Sequence, residues 1–337
     1  MNSVLISNSF DDAMKNLKKL SAPHCNSFLL HASLLAALSF GSPCASDAET
    51  LEKTGRKFTT PEEAVAALES ATAKADTNAL RAVLGPSAED LVNPDRTQAM
   101  NELKTFSSAL DQTNHLVRVS DTFIVLELGD DLWPFPIPIV KKDGGWFFDS
   151  EVGKDELLNR RIGKNELATL PVVRAYVDAQ REYASSDRDG DEVLEYAQRL
   201  VSSPGKRDGL YWPPDSDADI SPLGPMVAFA QVEGYSPELR EEDEQQRGPF
   251  HGYYFKILTR QGKHAPGGKY SYITNGNMIG GFALVAWPAE YRGTGVMTFI
   301  VNQQGRVYQK DLGRDTAKVA RKMKAYDPDP TWSVSPD

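Results

Sequence analysis

The sequence predicts an α+β fold, on two observations. Stretches with apolar residues three and four apart are followed by stretches that alternate apolar and polar residues, and this order occurs twice along the 337 residues. The joints between the alternating stretches are short and carry Gly, Asn and Asp, the residues of hairpin turns. Two subdomains of helices with antiparallel strand meanders follow, over 50–162 and 165–313, with a helix and tail at 314–337.

The first element is a leader. Residues 20–46 contain no Asp, Glu, Lys or Arg, and Lys15, Lys18 and Lys19 sit just before them. Phe28 to Phe40 is apolar apart from His31, Ser33 and Ser39, and small residues follow from Gly41 to Ala48. This basic, apolar, small-residue order is that of a secretory signal peptide, here 1–45, with cleavage after Ala45 or Ala48. The apolar run is shorter than the ~20 residues that span a bilayer, so no stable membrane span is expected after cleavage. A buried apolar helix is the alternative. Met14 opens a tidier leader than Met1.

In 50–162, Thr60-Pro61-Glu62-Glu63 opens a helix: Thr60 caps, Pro61 suits the first position, and the acids face the positive end of the dipole. Asp76 starts a second helix that Gly85-Pro86 closes, and Met100, Leu103, Phe106 and Leu110 mark a third over about 95–110. Four strands follow, His115–Val119, Phe123–Leu128, Phe135–Val140 and Trp146–Asp149. Pro134, Pro136 and Pro138 remove donors from one side of the third, which predicts an edge strand. Such a cone-shaped domain is similar to nuclear-transport-factor-two-like folds, which hold a small-molecule pocket or serve as interaction modules. His115, at a strand start, suits a rim or turn.

Around the boundary with 165–313, Lys154–Ile162 and Leu170–Ala184 read as two helices, with Gly163 and Pro171 at the junction and Thr169 as a cap. Gln180 falls inside the apolar stripe of the second. A further helical turn is expected over Val193–Leu200, then an extended loop over 202–222. Strands follow at Gly252–Thr259, Lys269–Thr274, Gly281–Trp287, Val296–Val301 and Gly305–Lys310. A helix followed by a meander resembles the globular head of type IV pilins and pseudopilins, in element order alone. Arg314–Tyr326 reads as a basic helix, and the Pro-rich tail 327–337 as irregular, with Trp332 tucked against a domain.

Composition excludes several classes. The formal charge is −10, and residues 1–45 carry +1, so removing them leaves −11. Such an acidic chain does not suit nucleic acid. Both cysteines, Cys25 and Cys44, lie in the leader, so the mature chain has no thiol nucleophile, disulfide or thiolate metal site. His115, His251 and His264 are its histidines. His251 and His264, 13 apart, fit structural or surface roles, or a meeting across a hairpin. No G-x-S-x-G elbow, Walker loop, G-x-G-x-x-G or H-E-x-x-H occurs.

Three stretches remain as candidates. Asp187, Asp189 and Asp191 alternate around Gly190, with Glu195 four further on. Calcium takes six to eight oxygen ligands, which such a loop supplies in part. The position of Gly190 departs from the EF-hand order, and Gln198 replaces its last carboxylate, so a solvated turn is the alternative. No other cofactor is expected. Tyr253, Tyr254 and Trp287, with Tyr211-Trp212, form either an aromatic binding surface for sugars or peptides, or a core. The run Glu238–Glu244 reads as a solvated loop.

A set of motifs carries a family resemblance. It includes Gly144-Gly145-Trp146-Phe147-Phe148-Asp149, Arg160-Arg161-Ile162-Gly163-Lys164-Asn165-Glu166-Leu167, Tyr183-Ala184, Asp189-Gly190-Asp191 and Glu195-Tyr196-Ala197. Gly209-Leu210-Tyr211-Trp212-Pro213, Ser221-Pro222-Leu223-Gly224-Pro225, His251-Gly252-Tyr253-Tyr254-Phe255, Ala286-Trp287-Pro288-Ala289 and Tyr326-Asp327-Pro328 complete it. Together these resemble the bacterial secreted family catalogued as domain of unknown function 2950, over about 58–330. The resemblance implies a periplasmic or secreted protein of a Gram-negative bacterium and transfers no catalytic residue. The expected role is a non-enzymatic envelope interaction or assembly module, with envelope proteins or polymers as partners. The alternatives are a hydrolase using paired carboxylates on envelope polymers, or a small-ligand-binding protein.

Overall fold

The structure is a computed structural model and describes residues 55–188, 190–216, 219–235 and 248–336. The leader, Asp189 and the run Glu238–Glu244 lie outside the described residues. The fold is α+β. The described chain divides into two compact units, one of 55–92 with 103–157 and one of 93–102 with 158–336, here the N-terminal and C-terminal units. No helix among the described residues is long and apolar enough to cross a membrane.

In the N-terminal unit, α1 is Pro61–Ala73 and α2 is Thr77–Leu84. Thr60 accepts from the Glu63 N–H at 3.2 Å, while Glu63 reaches back to the Thr59 N–H at 2.9 Å. Asp76 accepts from Asn78 and Ala79, and Gly85 ends α2 with φ 84°, a left-handed conformation that favours glycine. A 3-10 turn at Pro86–Leu91 follows.

Helix α3, Arg96–Gln112, begins in the C-terminal unit and ends in this one. The strands are β1 (Asn114–Ser120), β2 (Phe123–Leu128), β3 (Trp133–Pro134), β4 (Ile139–Lys142) and β5 (Gly145–Phe148), in sheet order β1-β2-β4-β5 with β3 on β2. The proline-bearing segment is not the expected edge strand. It splits, so that β4 starts after Pro138 and pairs on both sides, Ile139 meeting Ile124 and Phe148. Pro136 and Pro138 thus fall in the break, while Pro134 lies in β3, which pairs with β2 alone. Leu68, Leu110, Ile124, Leu126, Phe135, Ile139 and Phe148 form the core.

The expected pair of helices at 154–162 and 170–184 is one 34-residue helix, α4, Ser150–Tyr183, with Pro171 inside it. Pro171 has no N–H for the Leu167 carbonyl, but Leu167 is exposed, where water can take that carbonyl. Thr169 is no cap: its hydroxyl donates back to Asn165 O at 2.8 Å. The expected helix at 193–200 is absent as well. Gln180, buried in α4, binds both the N–H and the C=O of Ala197 at 2.8 Å. Tyr196 N donates to Met278 O, and Leu200 O accepts from Tyr211 N. With its backbone groups held by other segments, the stretch stays extended.

Helix α5, Gly224–Val232, precedes the main sheet of the C-terminal unit. Its order is β15-β13-β12-β11-β6, from β6 (Tyr253–Leu258), β11 (Ala283–Pro288), β12 (Met297–Asn302), β13 (Tyr308–Asp311) and β15 (Ser333–Val334). The expected strand at 269–274 is broken into β8 (Tyr270–Ser271) and β9 (Ile273–Thr274). The former pairs with β7 (Arg260–Gln261), the latter with β10 (Asn277–Met278). The basic helix is shorter than expected, α6 at Thr316–Lys322, and β14 (Ala325–Tyr326) follows it, parallel to β7. The tail is not wholly irregular, since β15 adds to the sheet through Tyr308 and Gln309. Trp332 packs on the core, as expected. Tyr176 and Val177 of α4 meet Ala283, Val285 and Phe299 of the sheet in one buried cluster.

Candidate functional site

The C-terminal unit contains a cavity of about 180 Å³ between α4, α5 and β6. Val172 and Tyr176 face it from α4, Met226, Val227 and Ala230 from α5, and Tyr253 and Phe255 from β6. Leu284, Tyr211 and Tyr235 complete the wall. The reason for an apolar hollow here is local. Three positions of α5 at helical spacing, 226, 227 and 230, turn one side to it, and each is partly exposed rather than sealed in the core.

The lining carries no Asp, Glu, His, Lys, Arg, Ser or Thr; its polar side-chain atoms are tyrosine hydroxyls and the Met226 sulfur. Three of those hydroxyls are committed. Tyr176 donates to Ala283 O at 3.0 Å, Tyr253 to Met297 O at 2.9 Å, and Tyr235 to Asp95 Oδ2 at 2.8 Å. Burial pushes all three phenols above their usual range, and the Asp95 charge adds to this at Tyr235, so they stay neutral. Tyr211 is different. It is 8% exposed, its hydroxyl has no hydrogen-bond partner among the described residues, and the oxygen is not sealed from solvent.

Tyr235 links the cavity to a buried polar cluster. Asp95, 1% exposed, caps α3 by accepting from the Gln98 N–H at 3.0 Å. Its other oxygen accepts from Tyr235 and from the Gly252 N–H at 3.0 Å. The His251 N–H donates to the Tyr235 hydroxyl at 3.3 Å. This approach needs glycine at 252: φ is 75°, and a Cβ would collide with the Asn165 amide. His251 is itself left-handed, at φ 48°. Its Nε2 lies 3.1 Å from Glu233 Oε2, both side chains largely buried. Burial holds the Asp95 carboxyl above the usual range, opposed by the bonds from Gln98, Gly252 and Tyr235 and by His251. Behind it runs an amide chain: Asn93 donates to Gln98 (2.8 Å), Gln98 to Asn165 (2.7 Å) and Asn165 to Thr294 O (2.9 Å).

The residues singled out from sequence are placed as follows. Asp187 accepts from the N–H groups of Gly190 and Glu192, Asp191 from Val193 N and the Asn277 amide, and Glu195 from Met278 N. These carboxylates thus hold the turn and its neighbours, while Asp189 lies outside the described residues. Among the described residues no three His, Cys, Asp or Glu side chains gather as a metal would need. Trp287 and Tyr253 are wholly buried, and Tyr254 is half-buried. Tyr253 and Tyr254 line the cavity; Trp287 does not. His251 and His264 do not meet, because His264 pairs with Asp327 at 3.1 Å. His115 is exposed on β1.

Sequence reasoning missed Asp95, Tyr235 and Glu233. The available signal was Asn93-Pro94-Asp95 ahead of a helix, which marks a cap but not its distant partners.

Comparison with known proteins gives one match. The profile of a protein family of unknown function, DUF2950, fits residues 55–334. No curated protein and no solved structure matches the chain. The chain belongs to the DUF2950 family.

Proposed function

We propose that this DUF2950 protein is exported and acts as a binding module rather than a catalyst, with the cavity of the C-terminal unit as its binding site. The observation that carries the reading is the cavity lining: apolar and aromatic, with three of its hydroxyls already bonded to the protein. A wall of this kind favours capture of an apolar group and offers no acid–base pair to a scissile bond. Export rests on the basic, apolar and small-residue order between Lys15 and Ala48. It places the protein in the periplasm or outside the cell, where an envelope component supplies the ligand.

The test is thermal unfolding of the protein purified from its producing cell, with and without small apolar compounds. A compound that binds the native cavity raises the melting temperature in proportion to its concentration over its Kd. Toluene is expected to raise it for the native protein and to leave Ala230→Trp, which fills the cavity, unmoved. Equal shifts in both proteins, or none in either, contradict the reading.

A further inference from the structure

The geometry points to a specific ligand class: a single compact ring bearing one hydrogen-bonding group that meets the Tyr211 hydroxyl. The inference deepens the cavity-binding reading and rests on it. Two observations carry it independently of each other.

Size comes first. The cavity measures about 180 Å³. An apolar protein cavity of about 150 Å³ takes up benzene. The space therefore holds a ring with one or two small substituents, and most of a long acyl chain would run out through its open side. The walls suit a ring as well. Tyr176, Tyr253, Phe250 and Phe255 line the space, and aromatic side chains accept a further ring edge-to-face or offset-stacked.

Polarity comes second. Tyr176, Tyr235 and Tyr253 spend their hydroxyls on Ala283 O, Asp95 and Met297 O, and burial keeps these phenols un-ionised. Tyr211 spends its hydroxyl on nothing among the described residues: the residue is 8% exposed, and its oxygen is not sealed from solvent. Its oxygen is open to water, so a ligand seated there displaces that water, and one that carries a hydrogen-bonding group replaces the lost bond. A phenol or an indole fits: an apolar ring with one polar atom. A plain hydrocarbon fills the same volume and leaves Tyr211 unsatisfied.

Calorimetric titration with p-cresol and with toluene tests this, because the two differ by one hydroxyl. For the native protein p-cresol is expected to bind about tenfold more tightly than toluene, the factor one net hydrogen bond supplies. In Tyr211→Phe the preference should fall to about unity while toluene binds as before. Decanoate should compete with neither. Equal binding of p-cresol and toluene to the native protein overturns the assignment of Tyr211 but leaves the cavity as a binding site. A preference that persists in Tyr211→Phe does the same. Displacement of both by decanoate overturns the size argument. Binding of none of the three removes the cavity reading together with this inference.

Discussion

The two units close their cores with different side chains. Among the described residues the N-terminal core is Leu, Ile, Val, Phe, Ala64 and Trp146, and it contains no tyrosine. The C-terminal core buries six: Tyr176, Tyr183, Tyr211, Tyr253, Tyr272 and Tyr326. A buried phenol brings large apolar area and one polar atom that needs a partner. Four of the six find one in Ala283 O, Arg207 O, Met297 O and the Gln261 side chain. Among the described residues Tyr211 and Tyr326 do not, and of those two only Tyr211 lines the cavity. The N-terminal unit has instead an open polar cleft where Arg118 and Lys141 lie over the Trp146 ring beside Glu62 and Asp121. Charges of both signs there neutralise each other. The comparison teaches that a core without phenols carries no hydroxyls to satisfy, whereas a tyrosine-rich core leaves polar ends that are spent inside, left to solvent or offered to a ligand.

Substitutions can break that contrast, from large effects to small. Trp287→Ala, at a wholly buried position in the C-terminal core, should cost about 3–5 kcal/mol in urea unfolding. Asp95→Asn places an amide N–H₂ opposite the donors of Tyr235 and Gly252, and should cost about 1–3 kcal/mol at pH 7. Its pH dependence has a defined sign. Asp95 has a raised value in the fold, so its stabilising contribution is fullest with the proton on and is lost as pH rises through that value. The gap between native protein and Asp95→Asn should therefore widen between pH 7 and pH 4.

Asp208 behaves oppositely. Burial raises it, but the Ser203 N–H and hydroxyl and the charge of Arg199 outweigh this and leave it lowered. Its contribution is present at neutral pH and fades as pH falls through the acid range. In the N-terminal unit, Thr60→Ala removes a helix cap and should cost about 1 kcal/mol. Lys57→Ala, which removes an exposed pair with Asp143, should change stability by less than about 0.5 kcal/mol.

Much of the fold was legible in the sequence because its signals are local. Thr60 and Asp76 cap where their neighbours said they would, and the strand at Phe123–Leu128 has the expected bounds. The failures share one physical cause, a distant partner overriding a local preference. Val193–Leu200 has a helical pattern, but Gln180, Met278 and Tyr211 take its backbone groups. Pro171 signals a helix start, yet α4 runs through it because burial of the flanking turns holds the helix on the sheet. Pro136 and Pro138 mark a break between two short strands, and Pro134 lies in β3, which pairs on one side only.

The site was barely legible. Tyr253 and Tyr254 were singled out, but the cavity also draws on residues 172, 211, 226 and 284, and no spacing announces such an assembly. Asp95 and Tyr235 lie 140 residues apart and meet at 2.8 Å.

The central claim is that the C-terminal unit takes a small ring into the space lined by Tyr211 and Tyr253. Methyl-resolved NMR of the protein titrated with p-cresol tests it most directly. The account predicts saturable shifts at Leu284, Val172, Val227 and Met226, with Leu68 and Leu126 of the N-terminal core unmoved. Shifts spread evenly over both sets, or absent from the first, would contradict it.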